Sequence, residues 1–148
     1  MTQQLLQLFR MGRTRLSNQF PNIQEKDLSK KLHPDSNSIG FLLRHISDVE
    51  YLFAKNVFGL DVKVKTFTVG IGLHDSGKFT VLEEEIKALS ASAATLEQAI
   101  LMQKEEDWEK SITTAQFGTI TKTEALARIV SHTAYHAGQI GLILKYGA

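Results

Sequence analysis

At 148 residues, with 43% hydrophobic and 22% charged side chains, the chain has the make-up of one globular domain, residues 1–148, able to bury about two-thirds of its unfolded surface. A formal net charge of +1 gives no electrostatic case for a nucleic-acid partner, which calls for a concentrated basic patch. The absence of cysteine excludes disulfides, thiolate metal ligands and covalent catalysis through the protein's own thiol.

No apolar run approaches the roughly 18 residues needed to cross a membrane. The expected setting is therefore cytoplasmic, with no membrane partner. The first 24 residues hold Arg10, Arg13 and Arg15 and no acid, as transit peptides do. Their apolar residues continue the pattern of the rest, however, and read as a first helix. Leu5, Phe9, Gly12 and Leu16 recur at helical spacing, with Leu6 and Leu8 widening the stripe, which predicts a helix over residues 2–19. Phe20-Pro21-Asn22 stops it, since proline disfavours a helical residue before it. A polar connection follows to Pro34, with a turn of helix expected near residues 25–31.

Asp35-Ser36-Asn37-Ser38 is a cluster of N-cap residues, so a second helix is expected from there to about Phe58, closed by Gly59. Leu42, Ile46, Val49 and Phe53 form one row on it, and Phe41, His45, Asp48 and Leu52 the next. His45 thus borders the buried side. Asp48, one turn on, is placed to accept a hydrogen bond from a neighbouring imidazole. Residues 60–79 show no helical period and are punctuated by Gly70, Gly72 and Gly77. Val62, Val64, Phe67 and Val69 suggest an extended piece there. So long a connection is either a functional loop or a crossover.

Thr80-Val81-Leu82-Glu83 has the form of a capping box opening a third helix. In that helix Leu82, Ile86, Leu89, Ala93, Leu96 and Ile100 alternate steps of 4 and 3, as in a bundle seam. Between residues 107 and 121 the pattern turns to alternation, which fits a short hairpin or extended link. Thr121-Lys122-Thr123-Glu124 is a second capping box and opens a fourth helix, to about Lys145. Four amphipathic helices without a convincing sheet make an all-α four-helix bundle. The long connection between the second and third helices lets the chain return along the bundle, which gives an up-down-down-up order.

The fourth helix carries Ala125, Ile129, His132, His136, Ile140 and Ile143 in one stripe. Two histidines four residues apart lie one above the other, roughly 6 Å apart, and can share a metal ion. Placed on a core-facing stripe, they are either satisfied by hydrogen bonds or ligated, because burying them unpaired is costly. An exposed pair, or a pair of satisfied core histidines, is the alternative. Counting along the antiparallel second and fourth helices brings His45 to the level of His132 and His136. Three neutral imidazoles leave coordination positions open on a divalent ion, as catalytic sites do. Zinc suits the donors, and nickel, iron or cobalt are compatible. Gln139, one turn after His136, can contact a bound ligand or a histidine ring. Tyr135 points about 100° away and reads as packing. His33 and His74 fall in loops and are expected in solvent, with His74 able to reach a site mouth.

The stretch Ser38-Ile39-Gly40-Phe41-Leu42-Leu43-Arg44-His45 with Ser131-His132-Thr133-Ala134-Tyr135-His136-Ala137-Gly138-Gln139 resembles the DinB-like family of bundle metalloproteins. That family has one histidine on the second helix and an H-x-x-x-H pair on the fourth, often followed by glutamine. The resemblance spans nearly the whole chain, including the long crossover. It implies His45, His132 and His136 as ligands of a zinc- or nickel-type ion, and a homodimer. It also points to transferases and isomerases that use a low-molecular-weight thiol such as bacillithiol or mycothiol. Three function classes follow: a metal-dependent thiol S-transferase or isomerase, a metal-dependent hydrolase, and a non-catalytic metal-binding or stress-related bundle. Asp48 and Gln139 are the candidates to orient a ligand or the histidine rings.

Overall fold

The computed structural model describes residues 1–148 as four long helices and one hairpin. Helix α1 covers Thr2–Ser17, α2 Ile39–Leu52, α3 Leu82–Leu101 and α4 Lys122–Tyr146. Strands β1, Ser111–Thr114, and β2, Gly118–Thr121, form the hairpin expected before α4. A 3-10 turn at Phe20–Asn22 follows α1, and another at Glu25–Asp27 lies where the polar connection was expected to turn.

Two of the expected helix ends are built as the sequence implies. Ser38 caps α2, its hydroxyl accepting from the Phe41 amide at 3.2 Å. At α4 the Thr121–Glu124 box is complete: the Glu124 amide donates to the Thr121 hydroxyl at 3.1 Å, and the Thr121 amide to the Glu124 carboxylate at 2.7 Å. The end of α2 loosens into a π-helical turn, Phe53–Val57. Gly59 then turns the chain at φ +75°, and the Leu60 amide bonds back to the Ala54 carbonyl at 2.9 Å.

The third helix departs from expectation. Its N-cap is Val81, one residue later than the Thr80–Glu83 box requires, and no side chain caps it from that position. The first-turn amide of Leu82 instead donates to Glu25 at 3.3 Å, from a distant connection. Glu83, Glu84 and Glu85 crowd the first turn, where negative charge complements the helix dipole. Full burial on α3 falls on Glu85, Leu89, Ser92, Leu96, Ala99 and Ile100, while Leu82, Ile86 and Ala93 are half-buried. The seam is rotated because Glu85 is drawn inward by the Arg44 guanidinium, which donates to it at 2.7 and 2.9 Å.

Contacts between helices fix their directions. Arg44 meets Glu85, Ser47 meets Ala88 and Glu50 meets Ser92, so α2 and α3 run parallel. Gln19 reaches Ala137, and Gly12 lies against Val130, so α1 and α4 are parallel too. Arg10 pairs with Glu97 and Arg13 with the Leu89 carbonyl, which makes α1 and α3 antiparallel. The order is up-down-down-up. The crossover that makes this possible contains no strand, since the one sheet present is β1–β2; the extended piece read at residues 62–69 pairs with nothing. Side chains pin that segment instead.

The core is in two parts. One cluster gathers Phe9, Phe53, Leu96, Trp108 and Ile129 with their neighbours, and the other Leu16, Ile46, Leu89, Ala137 and Ile140 with theirs. Between them each helix contributes a polar residue at the same level: Arg13 from α1, Glu50 from α2, Ser92 from α3 and Thr133 from α4. Glu50 is fully buried and accepts from Arg13 at 2.6 and 3.1 Å and from the Ser92 hydroxyl at 2.5 Å. The histidines stand at this level, on the side where α2 meets α4. None of the helices is long and apolar enough to cross a membrane.

Candidate metal centre

His45 on α2 and His132 and His136 on α4 converge. The Nε2 atoms of His45 and His132 are 3.2 Å apart, and those of His132 and His136 3.1 Å. All three rings are half-buried. His132 and His136 lie one position beside the buried stripe of α4, which runs through Ile129, Thr133, Ala137 and Ile140. The core-facing placement read from the sequence is corrected by that step. The small side chains of Thr133 and Ala137 take the closely packed positions, and the imidazoles fill the α2–α4 groove next to them.

Two rings have their tautomer fixed from behind. The Thr68 hydroxyl donates to Asp48 Oδ2 at 2.7 Å, which leaves its lone pairs for His45 Nδ1, 3.2 Å away. Nδ1 of His45 is therefore the protonated nitrogen. Asp48 does not touch an imidazole directly, as the sequence had suggested. It is buried, accepts the amides of Phe67 and Thr68 at 2.7 and 2.8 Å as well, and acts on His45 through Thr68. His136 Nδ1 lies 2.6 Å from Gln139 Oε1, an acceptor, so its proton is also on Nδ1. Both Nε2 lone pairs thus point toward His132.

No placement of protons satisfies all three rings at once. One N–H on His132 Nε2 can serve only one of the two bare nitrogens facing it. With the proton on Nδ1 instead, three lone pairs meet, and that Nδ1 is buried with no partner. A divalent ion with bonds of about 2.0–2.1 Å has tetrahedral ligand–ligand edges of about 3.3 Å, close to the two spacings observed. The donor set fits such an ion. The three ligand atoms all fall within 4.8 Å of one another.

Electrostatics keep the rings neutral and able to ligate. Burial, and then the neighbouring His136 and His45, push His132 down to about 3. Burial also lowers His45, with His136 adding to it and Asp48 and Thr68 opposing. Burial lowers His136 against the Gln139 hydrogen bond.

One side of the cluster is open. A cavity of about 580 Å³ reaches His45 and His132, within the usual range for small-molecule sites. Val49, Leu52, Phe53, Val69 and Phe117 form its apolar wall, and Gln116, Arg128, Ser131 and Tyr135 its polar rim. The hairpin turn and α4 build most of this mouth, and Val69 alone comes from the glycine-rich crossover. Tyr135, read as packing, is 66% exposed and stands at the mouth. His33 and His74 are exposed, and His74 does not reach the site. Sequence reasoning missed Thr68, because its partners lie about 20 residues back across an irregular loop. It also missed Arg128, whose signal was its position one turn before His132.

Residues 8–140 match the model of the DinB superfamily. No curated protein matches the chain in sequence. Among solved structures, a conserved protein from Enterococcus faecalis is similar with a TM-score of 0.75 at 17% identity, over 99% of this chain and 96% of that one. The mycothiol-dependent maleylpyruvate isomerase superposes with a TM-score of 0.65 at 18% identity. A mutant of that isomerase superposes with 0.72 at 17% identity. Each of those alignments covers 95% of this chain but only 61% of the isomerase chain. With the family model matched over most of its length, this chain belongs to the DinB superfamily.

Proposed function

We propose that His45, His132 and His136 hold a divalent ion, zinc or nickel by donor type, and that the protein is a thiol-dependent transferase or isomerase. The observation that carries this reading is the convergence of three Nε2 donors beside a cavity open to small molecules, which His45 and His132 line. Similarity of fold to a mycothiol-dependent isomerase supports the thiol. A divalent ion held there would supply Lewis acidity, favouring the anionic, nucleophilic form of a thiol or water near neutral pH. The chain has no cysteine, so the thiol would come from outside. Thr68, backed by Asp48, and Gln139 orient the imidazoles, and the apolar wall holds the electrophile and excludes water. A reducing cytoplasm, where small thiols stay reduced, is the compartment this reading calls for.

Metal analysis of untagged protein tests the site, followed by a screen of electrophiles with several small thiols. About one equivalent of ion, lost in His136→Ala while the circular dichroism stays helical, is expected. Turnover should require both ion and thiol. Full turnover without thiol would make the protein a metal-dependent hydrolase, and no turnover across the screen a non-catalytic bundle. We also propose a homodimer. Leu8 and Met11 on α1 are 49% and 61% exposed, and apolar surface of this kind suits a subunit contact. A monomer by light scattering at micromolar concentration would refute it.

A further inference from the structure

We infer that the ligand of the cavity beside the histidines carries a carboxylate, and that Arg128 binds it. This rests on the reading above only in placing the substrate in the same cavity. Eleven residues line the cavity, and Arg128 is the one arginine, lysine or acid among them. Its side chain makes no ion pair or hydrogen bond. Arg10, Arg13 and Arg44, by contrast, are each held by a glutamate, and Arg15, exposed and also without an acidic partner, lines no part of the cavity. Glu124, one turn before Arg128, would be its natural partner on the helix. That carboxylate is instead committed to capping α4 through Thr121, at 2.7 and 3.2 Å.

The guanidinium lies over the Phe117 ring, 4.6 Å from its centroid. Stacking of this kind holds the fork in place and leaves its in-plane N–H groups for an anion. Arg128 and His132 lie one turn apart on α4, roughly 6 Å between their Cβ atoms. A short ligand can therefore reach both. Between them the wall is apolar, and the remaining rim groups, Ser131, Gln116 and Tyr135, are uncharged. One cation with neutral neighbours matches a single negative charge. A phosphate dianion would call for more positive charge than the rim supplies. The class that fits is a small carboxylic acid with an apolar or aromatic body.

Cinnamate and its neutral isostere cinnamamide, titrated into the full-length protein by calorimetry, test this without turnover or thiol. The acid should bind at least about ten-fold more tightly than the amide, as a charge-assisted bidentate pair does. Arg128→Gln should bring the acid down to the level of the amide and leave the amide's own affinity unchanged. Arg128→Lys should retain part of the preference. His45→Ala should keep it, which separates Arg128 from carboxylate binding to an ion at the histidines. Equal affinities in the unaltered protein would overturn the inference. So would a preference that survives Arg128→Gln or vanishes in His45→Ala. If Arg128→Gln weakened acid and amide alike and raised hydrogen exchange in β1 and β2, Arg128 would be only a prop for the hairpin, and the inference would again fail. A thiol screen without turnover would count against the proposed activity while leaving these affinities as they are.

Discussion

His132 is the histidine whose environment is least able to tolerate a proton, and this makes it a probe of the cluster. Its folded-state value is about 3, against the ordinary 6.5, so between those limits the unfolded chain takes up a proton that the folded one refuses. Its contribution to stability is complete above about pH 6.5 and is lost progressively as the pH falls toward 3. In chelator-treated protein, urea midpoints from pH 7 to 5 should fall more steeply than in His132→Gln, by up to about 1.4 kcal/mol per pH unit. Parallel curves for the two proteins would rule this out. Thr68 is the second residue with a defined task. Thr68→Val keeps the shape but removes the hydroxyl between Asp48 and His45, and should weaken ion binding about 10–100-fold, with Thr68→Ser restoring most of it. Competition against a chromogenic chelator measures both. The histidine pair was legible because four-residue spacing on a helix has a fixed geometry. Thr68 was not, since no period links an irregular loop to a helix it touches.

Among the elements, helix ends show how far local rules reach. Thr121 and Glu124 form their box even with Arg128 one turn on, because the Thr121 amide and hydroxyl both hold the Glu124 carboxylate. The apparent box at Thr80–Glu83 failed because Glu25 reaches Leu82 from outside and the helix begins one residue later. The stripe of α3 is turned by a similar step, because Glu85, an acid outside the apolar stripe, is buried by its arginine. The crossover meets α2 at Gly40, where any added Cβ would overlap the Phe79 carbonyl oxygen. That atom is backbone and cannot swing aside. Gly40→Ala should therefore cost about 2 kcal/mol or more in urea unfolding. At Gly59 there is open space and only the positive φ to oppose a side chain, so Gly59→Ala should cost about 1 kcal/mol. Equal losses at the two would show that the Phe79 contact yields.

For the whole molecule, the order of the helices was legible from the length of one connection, but the polar level dividing the core was not. Arg13, Glu50 and Ser92 fall on the buried stripes of their helices, between Phe9 and Leu16, Ile46 and Phe53, and Leu89 and Leu96, but a stripe read from apolar residues passes over polar ones, and only the assembled bundle shows that they satisfy one another. Glu50→Leu should cost about 3–5 kcal/mol, because it leaves the Arg13 guanidinium buried without its carboxylate. The double change Arg13→Met with Glu50→Leu should recover most of that loss, as chemical denaturation of both variants would show. The grip of Asp48 on the backbone of Phe67 and Thr68 has a consequence for proteolysis. Lys63 and Lys65 are exposed just before that grip, and trypsin can cut there only when the segment opens. Anything that binds the closed form alone lowers the population of the open one. Since Thr68 is shared between the segment and His45, loading the histidines with zinc should slow cleavage after these two lysines, and Thr68→Val should abolish most of the difference. Digestion followed by mass spectrometry would then read the occupancy of a buried site from the rate at which a distant, exposed bond is cut.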